Sequence, residues 1–272
     1  MLFVTLSAVL HYYRMKQRYQ ILIEYDGTGF CGWQRQETKI ASVQQIIEES
    51  IFKFTGENVL VYGSGRTDAG VHAVAQVAHF DLTIPRTELE IIGAINHYAR
   101  SHKLVILDCK KAHSNFHARF SAIERSYLYK IINRKSPLVI MQNRAWHITK
   151  TLDLNKMKEG AKFFEGNNDF TSFRASQCQG KSPVKTINKI ELTQVEEEIN
   201  LFISAPSFLH HMVRNIVGTL VYVGHHKILP GDIVKIFEAK NRIVAGPTAP
   251  ACGLYFLEAK YNMQIMPSPE LN

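Results

Sequence analysis

Apolar and polar residues alternate along YQILIEYD (19–26), the two-residue period of a half-buried strand. The period then changes. In SVQQIIEESIFKFTG (42–56) apolar residues recur at Val43, Ile46, Ile47, Ile51 and Phe54, with Ser42 placed to cap the start and Gly56 to end it. That spacing predicts an amphipathic helix. NVLVYG (58–63) and VHAVAQVAHFDL (71–82) read as strands joined by GSGRTDAG (63–70). A helix over ELEIIGAINHYA (88–99) follows Pro85, and KLVILDCK (103–110) closes the series as a strand. The order β-α-β-β-α-β predicts a ferredoxin-like plait, two helices against an antiparallel sheet.

The second half repeats this style less regularly. RSYLYKIIN (125–133) reads as a strand and DLNKMKEGAKFFEG (153–166) as a capped helix closed by glycine. VKTINKIELTQVEEEINLFISA (184–205) reads as a hairpin turning around Glu196–Asn200. FLHHMVRNIVGTLVYVG (208–224) puts Leu209, Met212, Val213, Ile216, Val217, Leu220 and Val221 on one stripe, with Arg214, Asn215 and Gly218 off it. GDIVKIFEAK (231–240) is a short helix, and GLYFLEAKY (253–261) a last strand. The expected fold class is α+β, two plait domains with mainly antiparallel sheets. The expected layout is an extension over 1–18, an N-terminal domain over 19–111, a C-terminal domain over 112–264 and a loose tail over 265–272.

Composition narrows the partners. The chain has 272 residues, 46% hydrophobic and 21% charged, the balance of a globular protein. Its 32 Lys+Arg against 24 Asp+Glu give a net charge of +8 and favour polyanions. The four cysteines are far apart with no C-x-x-C, which points to a reducing cytoplasm rather than disulfides or a zinc knuckle. Adjacent histidines at 210–211 and 225–226 have the wrong spacing for a shared metal on a helix. The apolar run in residues 1–14 is too short to span a bilayer, and Met15 is a second plausible start.

The loop at 63–70 is the candidate for chemistry. Gly65 and Gly70 match a phosphate-binding spacing, but Val71 and His72 stand where Lys and Ser/Thr are required. Asp68 would also repel a phosphate. Two readings remain open: a hairpin loop in which Asp68 makes an Asx turn, or glycines that allow close approach while Asp68 is displayed as a nucleophile or general base.

GSGRTDAGVHA resembles the catalytic signature of the pseudouridine synthases of the tRNA-modifying TruA family. The resemblance runs from Tyr19 through YDGTGFCGWQRQ (25–36), NFHARFSAIERSYLYKI (115–131), DFTSFRASQCQGKSPVKTI (169–187), FLHHMVRNIVG (208–218) and GPTAPACGLYF (246–256). It implies an isomerase that uses no cofactor or metal, works as a cytoplasmic homodimer, and acts at positions 38, 39 and 40 of the tRNA anticodon arm, with its active cleft between the two domains. It implies Asp68 as the catalytic acid, Arg66 in the space of the extruded nucleotide, and Tyr127 stacked on the flipped base. Arg214 would pair with Asp68 and Leu254 would wall the uracil pocket. Arg119, Arg125, Lys130, Lys181 and Lys185, among interleaved aromatics, would suit the RNA backbone. Two rivals stand beside it: an RNA-binding plait without catalysis, which needs no Asp68, and a hydrolase, for which no acid partner or metal signature is present.

Overall fold

The structure, a computed structural model, describes residues 16–176, 178, 180 and 182–262. The expected N-terminal extension, apart from its last three residues, and the expected tail over 265–272 lie outside these, as does Lys181. Two compact units make up the chain: residues up to Ala69, Ala73–Ile123 and from Ala259 onward, and residues Gly70–His72 with Glu124–Glu258.

The first unit follows the predicted order: β1 (Gln17–Tyr25), α1 (Val43–Thr55), β2 (Tyr62–Gly63), β3 (His72–Leu82), α2 (Glu88–Ala99) and β4 (Leu104–Ala112). The strands lie in the order β4-β1-β3-β2, antiparallel throughout. Alternation in β1 buries Tyr19, Ile21, Ile23 and Tyr25. Tyr19 pairs in register with Phe80 of β3, their rings stacked at 5.8 Å. Ile46, Ile47 and Ile51 of α1 and Ile91 and Ile95 of α2 complete the buried layer. Ser42 caps α1 by accepting from Gln45 N–H at 3.1 Å, and Gly56 ends it at φ 75°. A reciprocal cap between Thr87 and Glu90 starts α2.

The second unit contains the same series: β5 (Ala122–Asn133), α3 (Leu154–Ala161), β9 (Lys189–Val195), β10 (Glu198–Ala205), α4 (Met212–Gly224) and β11 (Leu254–Tyr261), of which β5 begins and β11 ends with a few residues assigned to the first unit. Its strand order, β11-β5-β10-β9, is the permutation seen in the first unit. Into this plait are inserted β6 (Trp146–Ile148), parallel to the end of β5, a two-stranded ribbon of β7 (Gly166–Asp169) and β8 (Val184–Ile187), and α5 (Asp232–Ala239). Every residue of the predicted stripe on α4 is buried. Among the described residues no helix is long and apolar enough to cross a membrane.

Several boundaries differ from expectation. The strand expected over 58–63 shrinks to two residues, because side chains of α1 take its backbone groups. Glu48 accepts from Val61 N–H at 3.1 Å and the Gln44 amide donates to Val61 C=O at 3.2 Å. The helix expected over 153–166 stops at Ala161 and tightens into a 3-10 turn over Lys162–Phe164. Asn200 lies within β10 opposite Thr193, so the hairpin turns at Glu196–Glu197, with Glu196 at φ 51°. The helix predicted from 208 begins at Met212, preceded by His211 in the left-handed region at φ 62°.

Candidate active site

The loop between β2 and β3 is held from two sides within the first unit. On the β3 side, Ser64 N–H donates to Val77 C=O at 2.7 Å, the Ser64 hydroxyl donates to Gln76 Oε1, and Gln76 Nε2 donates to Gly65 C=O at 2.8 Å. Gln76 and Ser64 are buried, so these bonds form away from water, where a missing partner costs most. On the other side stands the segment after β1. The Tyr25 hydroxyl lies 2.8 Å from Thr67 Oγ1, and Trp33 N–H donates to Thr67 C=O at 3.0 Å. The same segment is tied to the start of α1, where Val43 N–H donates to Gly32 C=O and Gln44 N–H to Trp33 C=O.

Two glycines make that fit. Gly32 sits at φ 108°, and a Cβ there would lie 2.7 Å from Thr67 O and 3.2 Å from both Ala69 N and the Asp68 carbonyl carbon. A Cβ on Gly63 would lie 2.5 Å from the Trp33 indole. The sequence reading took the loop glycines as room for a ligand; Gly63 instead makes room for Trp33. Burial pushes the Tyr25 phenol up to about 12, with its bonds to Thr67 and Gln76 pulling the other way. Tyr25 is therefore a neutral hydrogen-bonding support. Thr67 is buried between an exposed Arg66 and a half-buried Asp68.

Directly after the loop, Gly70–His72 belong to the second unit. His72 is buried, with Nε2 3.0 Å from Asn143 O and 3.1 Å from Cys252 O, and its ring stacks on Tyr255 at 4.7 Å between centroids. Sequence reading did not single out His72; its place directly after the acid-bearing loop was the available signal.

In the second unit, Tyr127 of β5 is 9% exposed and meets Phe208 and Phe256 edge-on, at 5.1 and 5.2 Å. Its neighbour two residues on, Tyr129, is fully buried and donates to Pro250 C=O at 2.7 Å, which makes it a core residue. Leu254 is buried at the start of β11, the strand beside β5. Arg214 on α4 is half-buried, and its Nε donates to Ala249 C=O at 2.7 Å while Ala249 N–H donates back to Arg214 C=O. The segment leading into β11 is thereby stitched to α4. A Cβ on Gly218 would meet Pro247 O at 1.6 Å, so this contact is backbone on backbone. Asn215, expected off the core, is fully buried and receives bonds at its Oδ1 from Arg242 and Thr248. Arg242 was missed because nothing in the local pattern marks a cation whose partners are 27 and 6 residues away.

The remaining cations differ in setting. Arg119 is exposed, with its guanidinium 5.5 Å from the centre of the Phe120 ring. Arg125 is 9% exposed and donates to Pro206 C=O at 2.7 Å. Lys130 pairs with Glu198 at 3.4 Å and lies 5.6 Å from the Tyr255 ring. Lys185 sits half-buried in β8 opposite Asn168. Arg66 and Asp68 thus share one loop of the first unit, while Tyr127, Arg214 and Leu254 belong to the second.

A family model described as tRNA pseudouridine synthase matches residues 21–121 and 161–262. Two proteins called tRNA pseudouridine synthase A, from the Welgevonden and Gardel strains of Ehrlichia ruminantium, are 50% and 51% identical over 245 residues, covering 90% of this chain and all of theirs. A crystal structure of a Cbf5-Nop10-Gar1 complex aligns at 10% identity over 88% of this chain and 48% of that one, with a TM-score of 0.34.

Proposed function

The chain belongs to the tRNA pseudouridine synthase family and isomerises uridine to pseudouridine in tRNA; on that premise we propose that it acts at positions 38, 39 and 40 of the anticodon stem-loop with Asp68 as nucleophile. In this reaction the bond from the ribose C1′ to uracil N1 breaks, the base turns, and a bond from C1′ to C5 forms. The C5 proton leaves and N1 gains one, so substrate and product are isomers and no electrons are exchanged. The step calls for a carboxylate held at the sugar–base junction, where it adds covalently to the nucleoside.

The observation that carries this reading is the support of the loop. The Thr67 hydroxyl is hydrogen-bonded to that of Tyr25 and its carbonyl accepts from Trp33 N–H, which fixes the backbone one residue before Asp68. A reacting group works best when its position is fixed before the substrate arrives. Arg66, Tyr127, Arg214 and Leu254 are proposed to bind the extruded uridine. Extrusion exposes atoms that neighbouring bases otherwise cover. Arg119, Arg125, Lys130 and Lys185 are proposed to bind the RNA backbone, Arg125 through whatever part of its buried guanidinium remains open. The working form is proposed to be a cytoplasmic homodimer.

The test is pseudouridine mapping by carbodiimide primer-extension stops on an unmodified tRNA transcript with uridines at 38–40. Wild type should give stops at those positions and Asp68→Asn should give none while still binding the transcript. Binding without stops in either protein would leave an RNA-binding plait and end the synthase reading.

A further inference from the structure

The first unit carries an aromatic ladder that the reaction chemistry does not use. It runs from the buried core to a ring open to solvent. His79 of β3 is buried and its Nδ1 accepts from Ala118 N–H at 3.1 Å. Tyr62 stacks on it at 5.1 Å, and His117 meets it at 4.6 Å. Phe120 in turn lies 4.4 Å from His117 and is 76% exposed; Tyr62 is 46% exposed.

A lone exposed phenylalanine is ordinary on a protein surface. This one is held. His117 Nδ1 accepts from both Arg119 N–H and Phe120 N–H, at 3.1 and 3.3 Å. Ser121 closes the same turn, with its N–H on His117 C=O at 2.8 Å and its hydroxyl accepting from His117 N–H at 3.0 Å. The backbone that carries the exposed ring is therefore fixed before a partner binds, and His117 packs against the ring at 4.4 Å, which lowers the ordering cost of an anchor. The Arg119 guanidinium lies 5.5 Å from that ring, in a chain of net charge +8. A largely exposed ring with a cation over it offers a nucleobase an aromatic surface and its phosphate a charge partner.

We propose that Phe120, backed by His117 and flanked by Tyr62 and Arg119, is a stacking platform for an unpaired nucleobase of the tRNA substrate, separate from the group that carries out the isomerisation. The inference rests on tRNA being the substrate. The platform adds affinity by contact with one base face, and Arg119 adds a phosphate contact beside it. Stacking on an aromatic side chain is sequence-tolerant because every base has such a face.

The experiment measures equilibrium binding of the unmodified tRNA transcript across a series of salt concentrations, for wild type, Phe120→Ala, Phe120→Trp and Arg119→Gln. Pseudouridine formation by wild type is measured in the same preparation, and sedimentation gives the oligomeric state of each protein without RNA. Phe120→Ala should weaken binding roughly 5- to 100-fold with an unchanged salt slope, since a stacked ring releases no counterion. Phe120→Trp should restore binding, and Arg119→Gln should lower the slope by about one. Unchanged affinity in Phe120→Ala overturns the platform. So does a loss that accompanies a changed oligomeric state without RNA, which would make the ring a contact between copies. If wild type binds through Phe120 but forms no pseudouridine, the platform stands and the synthase reading falls.

Discussion

Replacing Gly32 by alanine tests whether the loop must be held where it is. The new Cβ would lie 2.7 Å from Thr67 O. A carbon–oxygen contact relaxes at about 3.3 Å, so the carbonyl has to retreat by roughly half an ångström. That oxygen accepts from Trp33 N–H at 3.0 Å, and the bond does not survive such a shift. Adding an L side chain at φ 108° brings its own strain. Together the strain and the lost bond should cost about 2–4 kcal/mol of stability. The displaced carbonyl belongs to the residue before Asp68, so kcat for pseudouridine formation should fall on the order of 10- to 100-fold. Gly93→Ala is the reference: it lies in α2 with no atom within 4 Å of its Cβ, and should stabilise by about 0.5–1 kcal/mol. Urea unfolding and steady-state conversion of saturating transcript give both quantities for each variant. A Gly32→Ala protein that loses stability yet keeps kcat within twofold would refute the link between loop position and rate.

Two further outcomes follow from buried titratable groups. Tyr25→Phe removes the hydroxyl paired with Thr67 and should cost about 1–2 kcal/mol with a loss of activity. Burial raises the Tyr25 pKa to about 12, so wild-type stability should hold up to about pH 10 and decline above it; that part of the decline should be missing in Tyr25→Phe, and an identical alkaline curve would refute the assignment. His79 is lowered to about 4, by burial first and then by the Arg18 and His117 charges, whereas the unfolded imidazole titrates near 6.5. Between those values the unfolded chain binds more protons, so stability should fall by about 1 kcal/mol per pH unit as pH drops through the window. Urea midpoints of His79→Gln from pH 4.5 to 7.5 should show a flatter slope; an unchanged one would place the acid sensitivity elsewhere.

The elements legible in the sequence are those whose cause is local. Ser42 and Gly56 bound α1 because a cap and a left-handed stop act within one turn of helix. The stripe on α4 was legible because its six helical residues, and Leu209 just before the helix, are all buried. What failed was set by partners far along the chain. Residues 58–61 have strand composition, yet Glu48 and Gln44 take the backbone of Val61 and leave β2 two residues long. Asn215 and Arg214 fall on the polar side by periodicity. The segment 246–250 folds back over that side, so Asn215 is fully buried and Arg214 is tied to Ala249. Periodicity describes a helix with two sides, and α4 is covered on both.

The site divides in the same way. GSGRTDAG draws a functional reading from its residue types, beside that of a plain hairpin loop, but nothing local says what holds it. Tyr25 and Trp33 stand in YDGTGFCGWQRQ, a stretch that carries the resemblance without giving either a role, and both are buried. Their work becomes visible only when Thr67, 42 residues beyond Tyr25, is found between them. Thr67 is bound through its hydroxyl to Tyr25 and through its carbonyl to Trp33 N–H, so the residue between Arg66 and Asp68 is anchored. That anchor comes from residues 42 and 34 positions earlier in the chain, which neither glycine content nor charge in the loop could have specified.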